Sequence, residues 1–187
     1  MADDDNDDSP MPRHRVTTKG KNVPEHVETF EALRERYNVS SHLLQNLAQS
    51  GYKRPTGIQS YGMPILLEVR PPYGILGRGI KAQQHRDLAA ISPTGTGKTL
   101  SYLLPVLSAL GAPTASSKSS PSSGVRAVIL APTRELAHQI HNECLKLAQG
   151  RKWRIVLFSK ATAATLADKK VREKIGVFPA YRRLCDI

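Results

Sequence analysis

The sequence predicts an α/β fold in which a parallel sheet is flanked by helices. Short apolar runs that suit buried strands alternate with segments of helical periodicity, and a glycine-rich turn separates the first run from a helix. Strand, helix and strand in this order imply right-handed crossovers and parallel strands. The 187 residues are enough for one domain with a sizeable core.

The predicted structure begins with three helices. Apolar residues recur at helical spacing over residues 30–37 and again over 43–47. Gly51 would end the second helix, and a third runs from about 55 to about 67. Residues 1–28, first acidic and then basic, are predicted to be a disordered tail.

The remaining elements alternate between the two types. In chain order they are a buried strand at 88–91, a helix from about 100, a buried strand at 125–131, a helix at 134–149, a third strand at 153–159 and a last helix at 163–174. β-Branched and apolar runs indicate strands, whereas apolar residues three and four positions apart indicate helices. The Ser- and Pro-rich segment 111–124 is predicted to be a flexible, exposed loop.

The glycine-rich turn has the residues of a phosphate-binding loop. Gly95 and Gly97 let backbone N–H groups approach a polyphosphate, while Lys98 supplies positive charge for the β- and γ-phosphates. Thr99 offers a hydroxyl for Mg²⁺, and the common motif has Gly where this chain has Ser92. The alternative is an ordinary Gly/Thr loop that happens to contain a lysine. The candidate phosphate-binding residues are Ser92, Pro93, Thr94, Gly95, Thr96, Gly97, Lys98 and Thr99, of which Lys98 and Thr99 are the catalytic candidates and Thr99 the metal ligand.

Two further segments suit nucleotide or nucleic-acid binding. In residues 51–59, Gln59 could form two hydrogen bonds with the N6 and N7 edge of adenine, and Tyr52 could stack on the base. Downstream, Thr133 can cap a helix whose start, with Arg134, suits a backbone phosphate. Each segment also has an ordinary structural interpretation: a packed helix corner in the first case, and a capped helix with a solvated arginine in the second.

Charge and cysteine content narrow the class of protein. The net charge of +11, from 27 basic and 16 acidic residues, favours polyanionic partners such as nucleic acid. Two cysteines cannot build a disulfide framework and favour a reducing compartment. The N-terminus lacks the apolar core of a secretory signal, and no apolar stretch is long enough to span a bilayer.

Taken in this order, the three segments resemble the motifs of the DEAD-box RNA helicases. Residues 51–59 look like the Q motif, with Phe30 as its upstream aromatic residue, while 92–99 look like motif I and 131–136 like motif Ia. The resemblance covers roughly residues 28–175. It is strongest to the subgroup that acts in 18S rRNA processing and small-subunit ribosome assembly in the nucleolus.

The resemblance implies a RecA-like P-loop NTPase domain, incomplete in this chain, that acts with ATP and Mg²⁺. It implies an ATP-dependent RNA helicase in pre-rRNA processing and ribosome biogenesis, located in the nucleus and nucleolus. The implied partners are pre-rRNA and pre-ribosomal proteins; no membrane contact and a monomer are expected. By resemblance the adenine-site residues are Phe30, Tyr52, Arg54 and Gln59, and the residues that contact the RNA backbone are Pro132, Thr133 and Arg134.

Parts of the family pattern do not occur in the sequence. There is no Asp-Glu-Ala-Asp box and no Ser-Ala-Thr motif, so we expect the chain to bind ATP poorly and hydrolyse it negligibly. We expect a partial ATP-binding domain over 29–175 and an atypical tail over 176–187. Segments 68–85 and 176–187 depart from the family, and we hypothesise that both are translated non-coding sequence or frame errors; natural surface insertions are the alternative.

Two other functions fit part of the pattern. A non-catalytic fragment that binds RNA or a protein partner would need no Asp-Glu-Ala-Asp box. Another P-loop kinase or ATPase would share the phosphate loop, but it would need neither residues 51–59 nor residues 132–136.

Overall fold

The computed structural model describes residues 16–70, 84–110, 127–151, 153, 155–158 and 177–181. These residues form five α-helices and four β-strands. The helices are α1 (Glu31–Tyr37), α2 (Ser41–Gln49), α3 (Gly57–Leu67), α4 (Lys98–Leu110) and α5 (Arg134–Ala148), and the strands are β1 (Val69–Arg70), β2 (Gln84–His85), β3 (Ala127–Ala131) and β4 (Val177–Tyr181). The predicted loop at 111–124 and the predicted helix at 163–174 lie outside the described residues.

One apolar core joins the helices. Helix α3 packs along α4, and α5 packs against both α2 and α4. Helix α4 presents leucines at positions one and two turns apart, the spacing of a helix face that is buried against neighbours. The largest buried aliphatic side chains are Leu33, Leu43, Leu47, Met63, Leu103, Leu104, Leu107, Ile140 and Leu147. Because burial of each such side chain contributes about 1.5–3 kcal/mol, this core fixes α3 and α4 relative to each other.

The predicted helices are confirmed wherever the structure describes them. Helix α5 ends at Ala148, one residue before the predicted end, and α3 ends at Leu67 as predicted. Helix α2 ends at Gln49, and Gly51 follows with a φ of +86°, a left-handed conformation that glycine adopts without steric cost.

Among the described residues, the parallel sheet consists of one strand pair. Strand β3 pairs in parallel with β4, in a register that runs from Ala127 opposite Val177 to Ala131 opposite Tyr181. Strand β4 lies inside residues 176–187, the segment that we expected to be an atypical tail. The apolar sequence Val-Phe-Pro-Ala-Tyr supplies a neighbour for β3.

Three strand predictions are wrong in burial or extent. Residues 88–91 form no strand and Ile91 is fully exposed, because no described strand lies beside this segment to hydrogen-bond it. Strand β3 is buried at Ala131 and only partly buried at Ala127 and Ile129, whereas Val128 is 58% exposed and Leu130 63%, since one face packs on helices and the described residues do not cover the other. Of the predicted strand at 153–159, the structure describes residues 153 and 155–158, which have isolated bridges at Ile155 and Phe158.

The end of the predicted disordered tail at 1–28 is packed against α3. Val27 is 1% exposed, and its backbone N–H donates to the carbonyl of Ser60 over 3.1 Å. The Ser60 hydroxyl donates in return to the carbonyl of Val27. His26 stacks on Tyr61 with the ring centroids 4.8 Å apart. The segment before α1 is therefore ordered because one apolar side chain and two hydrogen bonds attach it to α3.

A short hairpin interrupts the connection between α3 and the phosphate loop. Strands β1 and β2 pair antiparallel, with Val69 opposite His85. Directly outside the hairpin, the carboxylate of Glu68 forms an ion pair with the guanidinium of Arg86. The segment 69–85 thus leaves and re-enters the fold at neighbouring positions.

Candidate functional site

The phosphate loop, residues 92–99, leads directly into α4. Gly95 has a φ of +79° and Gly97 a φ of +81°, both in the left-handed region that L side chains rarely adopt. Helix α4 begins at Lys98, so the loop lies at the positive end of a 13-residue helix dipole. The sequence predicted this helix from about residue 100, and in the structure it begins two residues earlier, at Lys98.

Inside the loop, Lys98 is bonded to the loop itself. Its ammonium donates to the carbonyl of Ser92 over 2.6 Å and also to the carbonyl of Pro93. The hydroxyls of Ser92 and Thr96 are 2.5 Å apart, and the Thr96 hydroxyl donates to the Pro93 carbonyl over 2.8 Å. We call this arrangement the self-bonded loop.

Helix α3 holds the loop from the other side through Gln59 and Thr56. Gln59 is 1% exposed; its Oε1 accepts from the backbone N–H of Thr56 over 3.0 Å, and its Nε2 donates to the carbonyl of Gly97 over 3.2 Å. The Thr56 hydroxyl donates to the carbonyl of Thr96 over 2.7 Å. Gln59 Nε2 occupies the space that a Cβ atom on residue 97 would need. The two predicted sites, Gln59 and the phosphate loop, are therefore in direct contact.

The other predicted adenine-site residues are arranged differently. The hydroxyl of Tyr52 donates to Oε2 of Glu143 on α5 over 3.1 Å, and Glu143 also pairs with Lys146 at 2.7 Å. Burial, followed by the charge of Glu143, raises the pKa of Tyr52. Phe30 is buried in the helical core and Arg54 is exposed. The contacts of Tyr52 thus lead to α5 and not to Gln59.

The predicted RNA-contact segment lies at the start of α5, where β3 ends. Pro132, Thr133 and Arg134 are all exposed. The hydroxyl of Thr133 accepts a hydrogen bond from the backbone N–H of Leu136 over 3.2 Å, so the predicted N-cap is confirmed. Glu135 in the first turn adds the negative charge that favours this end of the helix.

Thr99, the candidate metal ligand, follows Lys98 in the first turn of α4. Burial raises the pKa of Tyr102, and a side-chain hydrogen bond with Thr99 acts in the opposite direction. Within the described ranges, no cluster of three His, Cys, Asp or Glu residues could hold a metal ion. Nor does any helix in those ranges have the length and apolar character needed to cross a membrane.

Two residues of the site were not predicted. Thr56 could have been found, because Thr-x-x-Gln before an apolar run is the pattern of a capping box, which the structure forms. Glu143 could not, because its contact with Tyr52 joins residues 91 positions apart and no local pattern marks it.

Comparisons with known proteins show the family to which the chain is similar. The family model described as DEAD/DEAH box helicase matches residues 78–182, which includes β4. A probable ATP-dependent RNA helicase DDX52 of Bos taurus is 37% identical over 152 residues, which are 81% of this chain and 22% of the relative. The DEAD-box ATP-dependent RNA helicase 57 of Oryza sativa subsp. japonica is 43% identical over 145 residues, or 78% of this chain and 23% of the relative. The ATP-dependent RNA helicase ROK1 of Meyerozyma guilliermondii is 36% identical over 156 residues, which are 83% of this chain and 25% of the relative.

Solved structures confirm the predicted RecA-like α/β fold. The yeast DEAD-box splicing factor Prp28 matches with a TM-score of 0.65 and 25% identity, over 88% of this chain and 35% of that one. A DEAD box protein from Methanococcus jannaschii matches with a TM-score of 0.58 and 23% identity, over 83% of this chain and 35% of that chain. The chain spans 22–25% of the length of the curated relatives named above. The predicted domain boundary at 175 stays a prediction, although the family match continues beyond it.

Proposed function

Because the chain belongs to the DEAD/DEAH box helicase family, we propose that it is the ATP-binding part of an ATP-dependent RNA helicase in pre-rRNA processing. The observation that supports nucleotide binding most directly is the contact between Gln59 and the phosphate loop through Gly97. A phosphate site and an adenine-reading amide within one hydrogen bond of each other suit the two ends of a single ATP molecule.

The two hydrogen bonds of Gln59 use half of the bonding capacity of its amide, and because Gln59 is 1% exposed, adenine would reach the other half only after neighbouring residues move apart. An amide nitrogen has two hydrogens and an amide oxygen has two lone pairs. One hydrogen is used by Gly97 and one lone pair by Thr56. The remaining donor and acceptor match N7 and the N6 amino group of adenine, a pair that guanine does not present. We therefore propose that Gln59 selects ATP over GTP, with Tyr52, Arg54 and Phe30 around the base.

In the proposed complex the phosphate loop binds the triphosphate. Lys98 would bind the β- and γ-phosphates and Thr99 would hold Mg²⁺, which neutralises charge on the transferred group. Water activation and charge stabilisation need further groups, and the sequence contains no Asp-Glu-Ala-Asp box. We propose that the chain as printed binds nucleotide weakly and that its hydrolysis is negligible.

RNA would bind at the start of α5. Pro132, Thr133 and Arg134 are exposed there, at the positive end of a 15-residue helix. Contacts of this kind reach the sugar-phosphate backbone and carry little sequence information, so we propose low sequence specificity. Pre-rRNA as the target, pre-ribosomal proteins as partners, a monomeric state and a nucleolar location rest on the subgroup resemblance.

The test compares ATP hydrolysis, with and without RNA, in two proteins. One is the 187-residue chain, and the other is a completed version in which the chain is joined to the remaining helicase region of the rice relative. We expect RNA to stimulate hydrolysis only in the completed version, and the Lys98→Ala variant of that version to lose it. Stimulation by a small metabolite in place of RNA would identify a kinase. No stimulation of a folded, completed version would contradict the proposal.

A second candidate is a fragment that binds RNA without catalysis. The absence of the Asp-Glu-Ala-Asp box favours it for the chain as printed, together with the exposed segment 132–134. Fluorescence anisotropy with a labelled single-stranded RNA distinguishes the two. Tight RNA binding by the chain that ATP does not change would support the second candidate.

A further inference from the structure

We propose that Ser92 is a positioning residue that lowers nucleotide affinity by stabilising the self-bonded form of the phosphate loop. The proposal deepens the proposed function, because it assumes that this loop binds the phosphates of ATP. It concerns the one position at which the loop departs from the common motif, which has Gly there.

The direction of the hydrogen bonds follows from counting hydrogens. A hydroxyl has one hydrogen to donate. Thr96 uses its hydrogen for the carbonyl of Pro93 at 2.8 Å. In the 2.5 Å contact between the two hydroxyls, Ser92 must therefore be the donor and Thr96 the acceptor. A glycine at position 92 could not start this chain of hydrogen bonds.

The chain of hydrogen bonds ends at the carbonyl of Pro93, one of the two carbonyl groups that bind Lys98. The ammonium donates to the carbonyls of Ser92 and Pro93, the first at 2.6 Å. Two carbonyl oxygens thus occupy the Lys98 ammonium, the group that is proposed to bind the phosphates. Because carbonyl and phosphate oxygens repel each other, these carbonyls must turn away from the ammonium before a phosphate can replace them.

Helix α3 contributes to the loop independently of Ser92. Thr56 and Gln59 bind the carbonyls of Thr96 and Gly97, on the opposite side of the loop. Loss of the Ser92 hydroxyl leaves these two bonds intact. The expected effect is therefore limited to the balance between the self-bonded loop and a form that can accept phosphate.

The size of the effect is that of one hydrogen bond. A ligand that binds only one form of a protein has its affinity reduced by the fraction of molecules in that form. Loss of a single hydrogen bond that stabilises the other form shifts such an equilibrium about 3- to 10-fold. Ser92→Ala and Ser92→Gly should each tighten nucleotide binding by this factor.

Stopped-flow binding of a fluorescent ATP analogue to the 187-residue chain tests the proposal. We expect the dissociation constant of both Ser92 variants to fall about 3- to 10-fold. The gain should appear in the association rate, with the dissociation rate unchanged, because the substitution changes the free loop and not the contacts of the bound nucleotide.

Ser50→Ala is the matched control. The Ser50 hydroxyl donates to the carbonyl of Asn46 over 2.8 Å at the end of α2, away from the phosphate loop. Its removal deletes the same kind of hydrogen bond, and the affinity should equal that of the unsubstituted chain. Equal or weaker affinity of the Ser92 variants, or a gain confined to the dissociation rate, would overturn the proposal.

A double-mutant cycle distinguishes loss of this hydrogen bond from a general loss of packing. Ser92→Ala and Thr96→Val each break the same bond between hydroxyls, so their effects on the association rate should not add. If the effects of the two substitutions on the association rate added, the hydrogen bond between the Ser92 and Thr96 hydroxyls would not be what slows binding, and the proposal would be contradicted.

A further measurement needs no nucleotide. The rate at which Lys98 is modified by reductive methylation, read by mass spectrometry, reports how often its ammonium leaves the loop carbonyls. Ser92→Ala should raise this rate about 3- to 10-fold. If neither the chain nor its variants bind nucleotide measurably, the Lys98 rate alone decides the role of Ser92, and an unchanged rate refutes it; the proposed function is tested separately, on the completed version.

Discussion

At the scale of single residues, Gly97 shows how closely α3 and the phosphate loop are joined. Its φ of +81° disfavours any L side chain, and Gln59 Nε2 occupies the space that a Cβ would take. Gly95 has a similar φ of +79° but no atom within 4 Å of that space. A side chain at position 95 would therefore cause backbone strain alone, whereas a side chain at position 97 would cause both backbone strain and a steric clash.

The first prediction uses this pair. Gly95→Ala should lose about 1–3 kcal/mol of unfolding free energy from strain alone. Gly97→Ala should lose at least about 1 kcal/mol more, because it also displaces the buried Gln59 amide. Urea unfolding followed by circular dichroism measures both losses. Equal losses would mean that Gln59 moves aside without cost.

Cys144 gives a prediction about pH. Burial, followed by the nearby charge of Glu143, raises the pKa of this thiol from 9.0 to about 12. The folded chain therefore keeps a proton that the unfolded chain loses above pH 9, so stability is fully present below pH 9 and falls as the pH rises toward 12.

The measurement is the unfolding free energy at a series of pH values, for the unsubstituted chain and for Cys144→Ala. Between pH 9 and 11 the unsubstituted chain should lose stability more steeply, by up to about 1.4 kcal/mol per pH unit. If the unfolding free energies of the two proteins fell equally with pH, the pKa of the Cys144 thiol would not be raised by burial, which would contradict the prediction. The same burial makes Cys144 slow to react with alkylating reagents at neutral pH.

At the scale of elements, α5 connects the candidate sites. Its N-terminus carries Thr133 and Arg134, and its middle carries Glu143, the partner of Tyr52. Its C-terminus is held by Asn46 of α2, whose amide donates to the carbonyls of Leu147 and Gln149, both over 2.8 Å. The helix is thus fixed at its end and middle, while its start remains exposed.

The exposed start leads to a prediction about RNA. Arg134→Ala should weaken binding of single-stranded RNA of any sequence, because the contact is to phosphate. The slope of log affinity against log salt should fall by about one for the lost charge. Fluorescence anisotropy over a series of salt concentrations measures both quantities. Arg34→Ala, an exposed arginine in the last turn of α1, is the control and should leave both unchanged.

Helices could be predicted from the sequence more closely than strands. Helix α5 was located to within one residue because its apolar face is a local pattern. The burial of residues 88–91 and of β3 could not be predicted, because it depends on which strands and helices lie beside them. Strand β4 was missed for the same reason: residues 177–181 form a strand through their pairing with β3.

At the scale of the whole molecule, the two ends of the segment 69–85 lie next to each other. Glu68 and Arg86, which flank it, form an ion pair, and β1 and β2 pair directly inside them. Joining residue 68 to residue 86 would connect positions already in contact, whether the segment is a natural insertion or retained non-coding sequence. Sequencing the mature transcript decides between these two hypotheses.

The site itself was predictable in part. The phosphate loop could be predicted from its residues alone, because its chemistry depends on a few side chains at fixed spacing. The role of Gln59 was predicted from the resemblance to the DEAD-box family, and both roles stay predictions. Their direct contact could not be found in this way, since Gln59 and Gly97 are 38 positions apart. The self-bonded state of Lys98 is likewise a property of the folded loop.

The central claim is that Gln59 and the phosphate loop bind the two ends of one ATP molecule. Isothermal titration calorimetry of ATP and GTP on the completed protein tests it most directly, with Gln59→Ala as the variant and exposed Gln45→Ala as the control. The account predicts that ATP binds about tenfold or more tightly than GTP. It also predicts that Gln59→Ala removes this preference and Gln45→Ala retains it. Equal affinities in the unsubstituted protein, or an unchanged preference in a folded Gln59→Ala variant, would contradict it.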